Sequence, residues 1–260
     1  MSQTTNFLDE YEGAAGSCGD SSPFVCEYEG SEYAGAVCLH FNAFEVQSAM
    51  YKHAPDDLVL GYTRTMMNFL IFNQQPHYIG MIGLGGGSLP KACYRRLPQA
   101  IISVAEINPE VIALRDHFFI PEDGERFAVL CEDGAEFVRR QRGQFDVLIV
   151  DGFDGTGQPP QLCTQRFYRD CYRSLSPQGL LVVNICDAQD LIPRIRRPFR
   201  NQVIVTDSDA RSANTIVFAG KGDILTKAPW PPRPQPVQQV SRYFGGATRE
   251  APSPRCEDHT

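Results

Sequence analysis

The segment from His77 to Glu106 constrains the fold more than any other part of the chain. An apolar run, His77-Tyr-Ile-Gly-Met-Ile-Gly-Leu84, breaks into Gly85-Gly86-Gly87-Ser88, and a second apolar run from Ile101 ends in Glu106. The order reads as strand, glycine turn, helix, strand, acid. A glycine turn lets the backbone approach a nucleotide closely, and an acid after the next strand can accept both hydroxyls of a ribose. Two later segments repeat the plan: Phe127–Cys131 leads into Asp133-Gly134, and the apolar run Phe145–Val150 ends in Asp151. In an open α/β sheet, ligands bind beyond the carboxyl ends of the strands, and Gly85, Glu106, Asp133 and Asp151 are all predicted to stand there. The chain is therefore expected to hold a nucleoside cofactor.

The flanking segments set the rest of the organisation. Residues 1–23 are small, polar and acidic, a composition that cannot repay its ordering entropy, so disorder is expected there. Residues 24–73 mix short apolar runs with turn residues and predict a small antiparallel β unit, followed by a helix capped by Asp56-Asp57 with apolar Leu60, Met66, Met67, Leu70 and Ile71 on one side. Residues 74–225 alternate strands and helices, the signature of a mostly parallel sheet covered on both faces. A helix is expected from Thr164, ended by Ser176-Pro-Gln-Gly179, with a strand from Leu180. The segments at Val203 and Thr215 are expected to close the sheet as an antiparallel pair. The proline-rich stretch 226–260 reads as an extended tail.

The chain has 260 residues and a net charge of −7, so no basic face for nucleic acid is expected, and acids at the strand ends favour a cationic small molecule. Nine scattered cysteines without paired spacing fit buried thiols in a reducing cytoplasm. No apolar run approaches a membrane span or a signal peptide. His53, His77 and His117 lack partners at ligand spacing, so no metal is expected; Cys163 is read as a packing residue. Gly83-Leu-Gly85-Gly-Gly-Ser lacks the third glycine of a dinucleotide turn.

Taken together, Gly85-Gly86-Gly87, Ala105-Glu106-Ile-Asn108, Glu132-Asp133-Gly134, Asp151-Gly-Phe-Asp154 and the run from Leu162 to Gly179 resemble the spermidine synthase (aminopropyltransferase) family over roughly residues 60–210. The resemblance implies a Rossmann-like class I S-adenosylmethionine-dependent methyltransferase fold with a small N-terminal β unit, usually assembled as a homodimer or tetramer. It implies transfer of an aminopropyl (or 3-amino-3-carboxypropyl) group from decarboxylated S-adenosylmethionine, or S-adenosylmethionine itself, as co-substrate to an amine acceptor. Glu106 would then bind the ribose, Asp133 and Gly134 the adenine, and Gly85, Gly86 and Gly87 would approach the sulfonium end. Asp151 matches the catalytic acid, Asp154 the acid that holds the distal amine, and Tyr62 the family's tyrosine ahead of the first strand.

The chain departs from the family pattern at several positions. Ser88 replaces an acid that would contact the cofactor's amino group, and a hydroxyl there could accommodate a cofactor carboxylate. Arg64 lies near an expected acid, which argues against a diamine such as putrescine. Gly155 replaces a proline after Asp154, and Asp209-Ala-Arg-Ser-Ala-Asn214 replaces an aromatic and proline segment. Two other readings share the fold: methyl transfer from the same cofactor, and a nucleoside-binding protein without turnover.

Overall fold

In the computed structural model the described residues are 22–28, 33–42, 45–186, 190–208 and 214–226. The disorder expected for 1–23 and the tail expected for 226–260 fall outside them, apart from Ser22, Pro23 and Thr226, as does most of the Asp209–Asn214 segment.

Three short strands, β1 (Phe24–Tyr28), β2 (Ala36–His40) and β3 (Val46–Tyr51), pair antiparallel in that order. They bury Ala36, Cys38 and Ala49 on one face, where small side chains let Tyr28, Tyr33 and Tyr51 pack over them. Helix α1 (Gly61–Met66) continues as a tight 3₁₀ turn, Met67–Ile71, and leads to the second sheet.

That sheet has seven strands: β4 (Tyr78–Ile82), β5 (Ile101–Glu106), β6 (Phe127–Cys131), β7 (Phe145–Val150), β8 (Leu175–Cys186), β9 (Val203–Asp207) and β10 (Asn214–Gly220). Their spatial order is β6-β5-β4-β7-β8-β10-β9. The first five run parallel, and β10 lies antiparallel between β8 and β9. Helices α2 (Ser88–Arg96), α3 (Pro109–Ala113), α4 (Gly134–Arg140), α5 (Gln165–Ser174) and α6 (Leu191–Arg196) complete the layers. Central strands covered on both faces must be apolar throughout, and Val147–Val150 and Leu180–Val183 are indeed buried without alternation. The strand order reverses at β4, whose neighbours β5 and β7 both continue away from it, so a crevice opens beyond its carboxyl end.

Two local expectations are corrected. Asp56 and Asp57 cap no helix: α1 starts later, with Leu60 at its N-cap and no side-chain cap bond. The backbone N–H of Asp57 instead closes a turn on the Ala54 carbonyl at 3.1 Å, and Asp56 pairs with Arg95 at 3.1 Å. The expected helix end at Ser176–Gly179 is also displaced. Helix α5 stops at Ser174 and the strand begins at once at Leu175, carrying Ser176-Pro-Gln-Gly179 as its first turnless stretch. The pairing shifts register between Phe145 and Val147 there, an irregularity that tolerates a proline in a strand. Thr164 does cap α5, accepting from the Phe167 N–H at 3.0 Å.

Candidate active site

A cavity opens where β4, β5 and β7 end, roofed by Phe41, Gln47 and Ser48 of the small β unit. Its floor is held by backbone bonds between the strand ends. The Gly83 N–H donates to Ala105 at 2.9 Å, and the Asp151 N–H donates to Ile82 at 2.9 Å. Gly83 sits at φ +91°, and a Cβ there would lie 2.2 Å from the Asp151 carbonyl oxygen. Only glycine permits both that backbone and that approach.

The glycine triplet divides into two uses. Gly85 lines the cavity, whereas Gly86 and Gly87 do not. Gly87, at φ +70°, is the left-handed N-cap of α2, and a Cβ on it would strike Ile120 at 2.4 Å. A Cβ on Gly86 would lie 2.8 Å from both the Phe118 ring and the Ser48 hydroxyl. Ser88 opens α2 beside the cavity, its hydroxyl 3.3 Å from that of Ser48 and 3.4 Å from the Ala49 carbonyl, to which it donates. The small β unit therefore meets the glycine turn directly.

Glu106, Asp133, Asp151 and Asp154 all line this cavity, together with Tyr62 and Gly134. Glu106 accepts from the Leu84 N–H at 2.8 Å through one oxygen and from the Asn108 N–H at 2.9 Å through the other. Each oxygen keeps a lone pair for a ligand hydroxyl. Asp133 caps α4, one oxygen accepting from Ala135 at 2.7 Å and Glu136 at 3.0 Å; the other accepts from the Gln161 amide at 3.2 Å. Asp154 is exposed and folds back on its own loop, accepting from the Thr156 N–H at 2.7 Å and the Thr156 hydroxyl at 2.6 Å.

Asp151 differs from the others in its surroundings. Burial pushes its carboxyl up to about 6, against hydrogen bonds from Asn184 and Tyr62 that pull it down. The Asn184 amide donates to it at 2.8 Å. Burial likewise raises Tyr62, and the neighbouring Asp151 charge adds to the rise, so the phenol stays protonated and acts as the donor.

Arg64 does not face the cavity. Its guanidinium donates to the Leu58 and Val59 carbonyls at 2.6 and 2.7 Å on the outside of α1. The argument against a diamine acceptor built on Arg64 therefore falls. Among the described residues lining the cavity are four carboxylates and no Lys, Arg or His, a balance that attracts cations and repels a ligand carboxylate. No group of three or more His, Cys, Asp or Glu among the described residues is arranged to hold a metal ion.

Several functional neighbours carry no signal in the sequence. Asn184 and Asn214 lie in apolar strands, and Ser48 and Gln47 come from a separate sheet. The Gln161 amide reaches Asp133 from the short 3₁₀ turn Pro160–Cys163 that follows β7. Lys91, buried behind the glycine turn, donates to the Phe118 carbonyl at 2.6 Å and contacts the Met50 sulfur at 3.0 Å.

A parallel sheet with a glycine turn after its switch-point strand, and acids after the next strands, defines a protein of the Rossmann-like class I methyltransferase fold. The Spermine/spermidine synthase domain family matches residues 60–190. A polyamine aminopropyltransferase of Chromobacterium violaceum is 42% identical over 198 residues, 74% of this chain and 76% of its own length. One from Neisseria meningitidis is 37% identical over 195 residues, 73% of this chain and 74% of its own length. Among solved structures, a probable spermidine synthase from Corynebacterium glutamicum superposes with a TM-score of 0.67 at 19% identity, covering 87% of this chain and 84% of that one. The chain belongs to the spermine/spermidine synthase family.

Proposed function

We propose that the protein is an aminopropyltransferase that moves an aminopropyl group from decarboxylated S-adenosylmethionine to an amine. The acceptor nitrogen attacks the propyl carbon bonded to the sulfonium. The C–N bond forms as the C–S bond breaks, and methylthioadenosine departs as a neutral thioether. Before the attack the acceptor ammonium gives a proton to the Asp151 carboxylate, directly or through water, and after it the alkylated nitrogen leaves as the secondary ammonium. A protonated amine has no lone pair for the attack, so a nearby base tuned toward neutral pH serves the step. The observation that carries this reading is Asp151 itself: a partly buried carboxylate, raised to about 6, on the wall of the cavity beyond the strand ends.

The remaining roles follow the family resemblance. Glu106 receives the ribose hydroxyls, Asp133 with Gly134 the adenine, and Gly85 the sulfonium end. Tyr62 and Asp154 hold the acceptor, Asp154 at its distal amine. The Ser88 and Ser48 hydroxyls offer oxygens to the cofactor's ammonium. An intact S-adenosylmethionine would bring its carboxylate into a wall of four acids without a facing cation, and that charge balance favours the decarboxylated form over the intact one.

Incubation of the protein with each sulfonium nucleoside and a panel of amines, followed by mass analysis of the adenosine product, tests the reading. Methylthioadenosine formed with the decarboxylated nucleoside is the expected result. S-adenosylhomocysteine would mean methyl transfer, and no product with any amine would mean binding without turnover. Competitive titration is expected to favour the decarboxylated nucleoside, and equal affinity would overturn that part.

A further inference from the structure

Resting on the reading of Asp151 as the acid that faces the amine, we propose that Asn184 is a positioning residue for that carboxylate and that Asn214 locks it in place. Asn184 is 2% exposed on β8 and stands outside the cavity lining, so it acts through Asp151 and not on the ligand. Its amide nitrogen donates to Asp151 Oδ1 at 2.8 Å, and its carbonyl oxygen accepts from the Asn214 amide at 2.9 Å. The two asparagines come together because β10 pairs antiparallel with β8: Asn184 faces Ile216 and Asn214 faces Cys186, which puts the amides diagonally on one face of the sheet.

An amide offers a donor at one end and an acceptor at the other. With Asn214 donating to the Asn184 oxygen, only the nitrogen end of Asn184 can point at Asp151. A flipped Asn184 would set oxygen against carboxylate and nitrogen against nitrogen, two repulsive contacts in a buried place. The clamp therefore fixes the rotation of the Asp151 carboxylate and commits Oδ1 to Asn184. The lone pairs left after the Tyr62 phenol has also donated to the carboxylate are those available to an amine.

The clamp also sets charge. An N–H donor binds a carboxylate more strongly than a carboxylic acid, so Asn184 opposes the effect of burial and keeps Asp151 ionised at neutral pH. The other ionisable groups around Asp151 are Tyr62 on α1 and, lining the same cavity, Glu106, Asp133 and Asp154. None of them is cationic, which leaves the amide and the phenol as the donors that hold the charge.

The test uses the full chain labelled with carboxyl-¹³C aspartate, with the Asp151 signal assigned by its loss in Asp151→Asn. Asn184→Leu keeps the volume and removes the donor. Its Asp151 titration midpoint is expected to rise by about one pH unit, and the acid limb of kcat to move with it while KM for the nucleoside stays unchanged. Asn214→Ala, which frees the Asn184 amide to rotate, is expected to move the midpoint the same way by less. An Asp151 midpoint unmoved in folded Asn184→Leu overturns the proposal; if that variant fails to fold, an unmoved midpoint in Asn214→Ala does so. Should no amine be alkylated by the wild type, the reaction reading fails, yet the carboxyl titration still decides the role of Asn184.

Discussion

Glu106 at the end of β5 accepts a hydrogen bond from the backbone N–H of Leu84 at 2.8 Å, which ties the acid to the turn that follows β4. One carboxylate thus serves the architecture and, in the proposed function, the ligand as well. Glu106→Gln puts an NH₂ where one of two backbone N–H groups now finds an oxygen. Hydrogen bonds to a charged group are worth about 1.5–3 kcal/mol, so nucleoside affinity should fall about tenfold to a hundredfold and thermal stability should fall with it. Calorimetric titration with the sulfonium nucleoside reads the first effect and a thermal melt the second. Unchanged affinity would remove Glu106 from the cofactor site.

Asp151 makes a prediction about stability as a function of pH. Its folded value is raised from 3.8 to about 6. The folded state therefore holds the proton more tightly than the unfolded state, and stability from this group is lost as pH rises from about 4 to about 6. Above that range the charge on this partly buried carboxylate costs the fold up to about 3 kcal/mol, about 1.4 kcal/mol for each pH step between the two values. Asp151→Asn should accordingly gain on the wild type in urea unfolding at pH 8, with the gain shrinking toward pH 4. The same substitution should abolish turnover. A stability difference that does not change with pH would show that Asp151 is not held in a desolvated place.

Lys91 gives the opposite sign at higher pH. Burial lowers its ammonium from 10.5 to about 8, against a small opposing pull from Asp56. Between about 8 and 10.5 the unfolded chain binds the proton and the folded one does not, so wild-type stability rises with pH through this window. The full effect is about 3 kcal/mol. Lys91→Met lacks the gain, and the wild type should improve against it when unfolding at pH 9.5 is compared with pH 7. The substitution also leaves the Phe118 carbonyl without its 2.6 Å donor, a pH-independent loss.

Arg64 should matter to α1 and not to the acceptor. Because it bonds the Leu58 and Val59 carbonyls on the outside of the helix, Arg64→Ala should cost about 1 kcal/mol of stability. Steady-state kinetics with a diamine should show KM unchanged within about twofold. A fall in KM of tenfold or more would return the guanidinium to the acceptor's path.

The strand, turn and acid units from His77 to Asp151 were legible without coordinates because each is local. An apolar run of strand length, a glycine where φ turns positive and an acid one or two residues past the strand are set by neighbouring residues alone. Glu106 and Asp151 were found in that way, and so was the antiparallel pairing of the last two strands. Even there, nearby chain competed. The turn from Ala54 to Asp57 closed before α1 could use the aspartates as a cap, and β8 absorbed the proline segment that reads as a helix end.

What the amino-acid order determined by itself is therefore the class of fold and the rim on which the acids stand. Only the tertiary structure decided what each of them does. Asp133 spends one oxygen on capping α4, Asp154 turns back on Thr156, and Gly86 and Gly87 serve packing while Gly85 meets the cavity. Asn184 and Asn214 lie 30 residues apart and touch because β10 inserts between β8 and β9. Periodicity reports which face of an element is buried; it carries no information about which distant side chain will share that face. The charge state of Asp151 depends on that neighbour and on the depth of burial, and both are products of long-range packing.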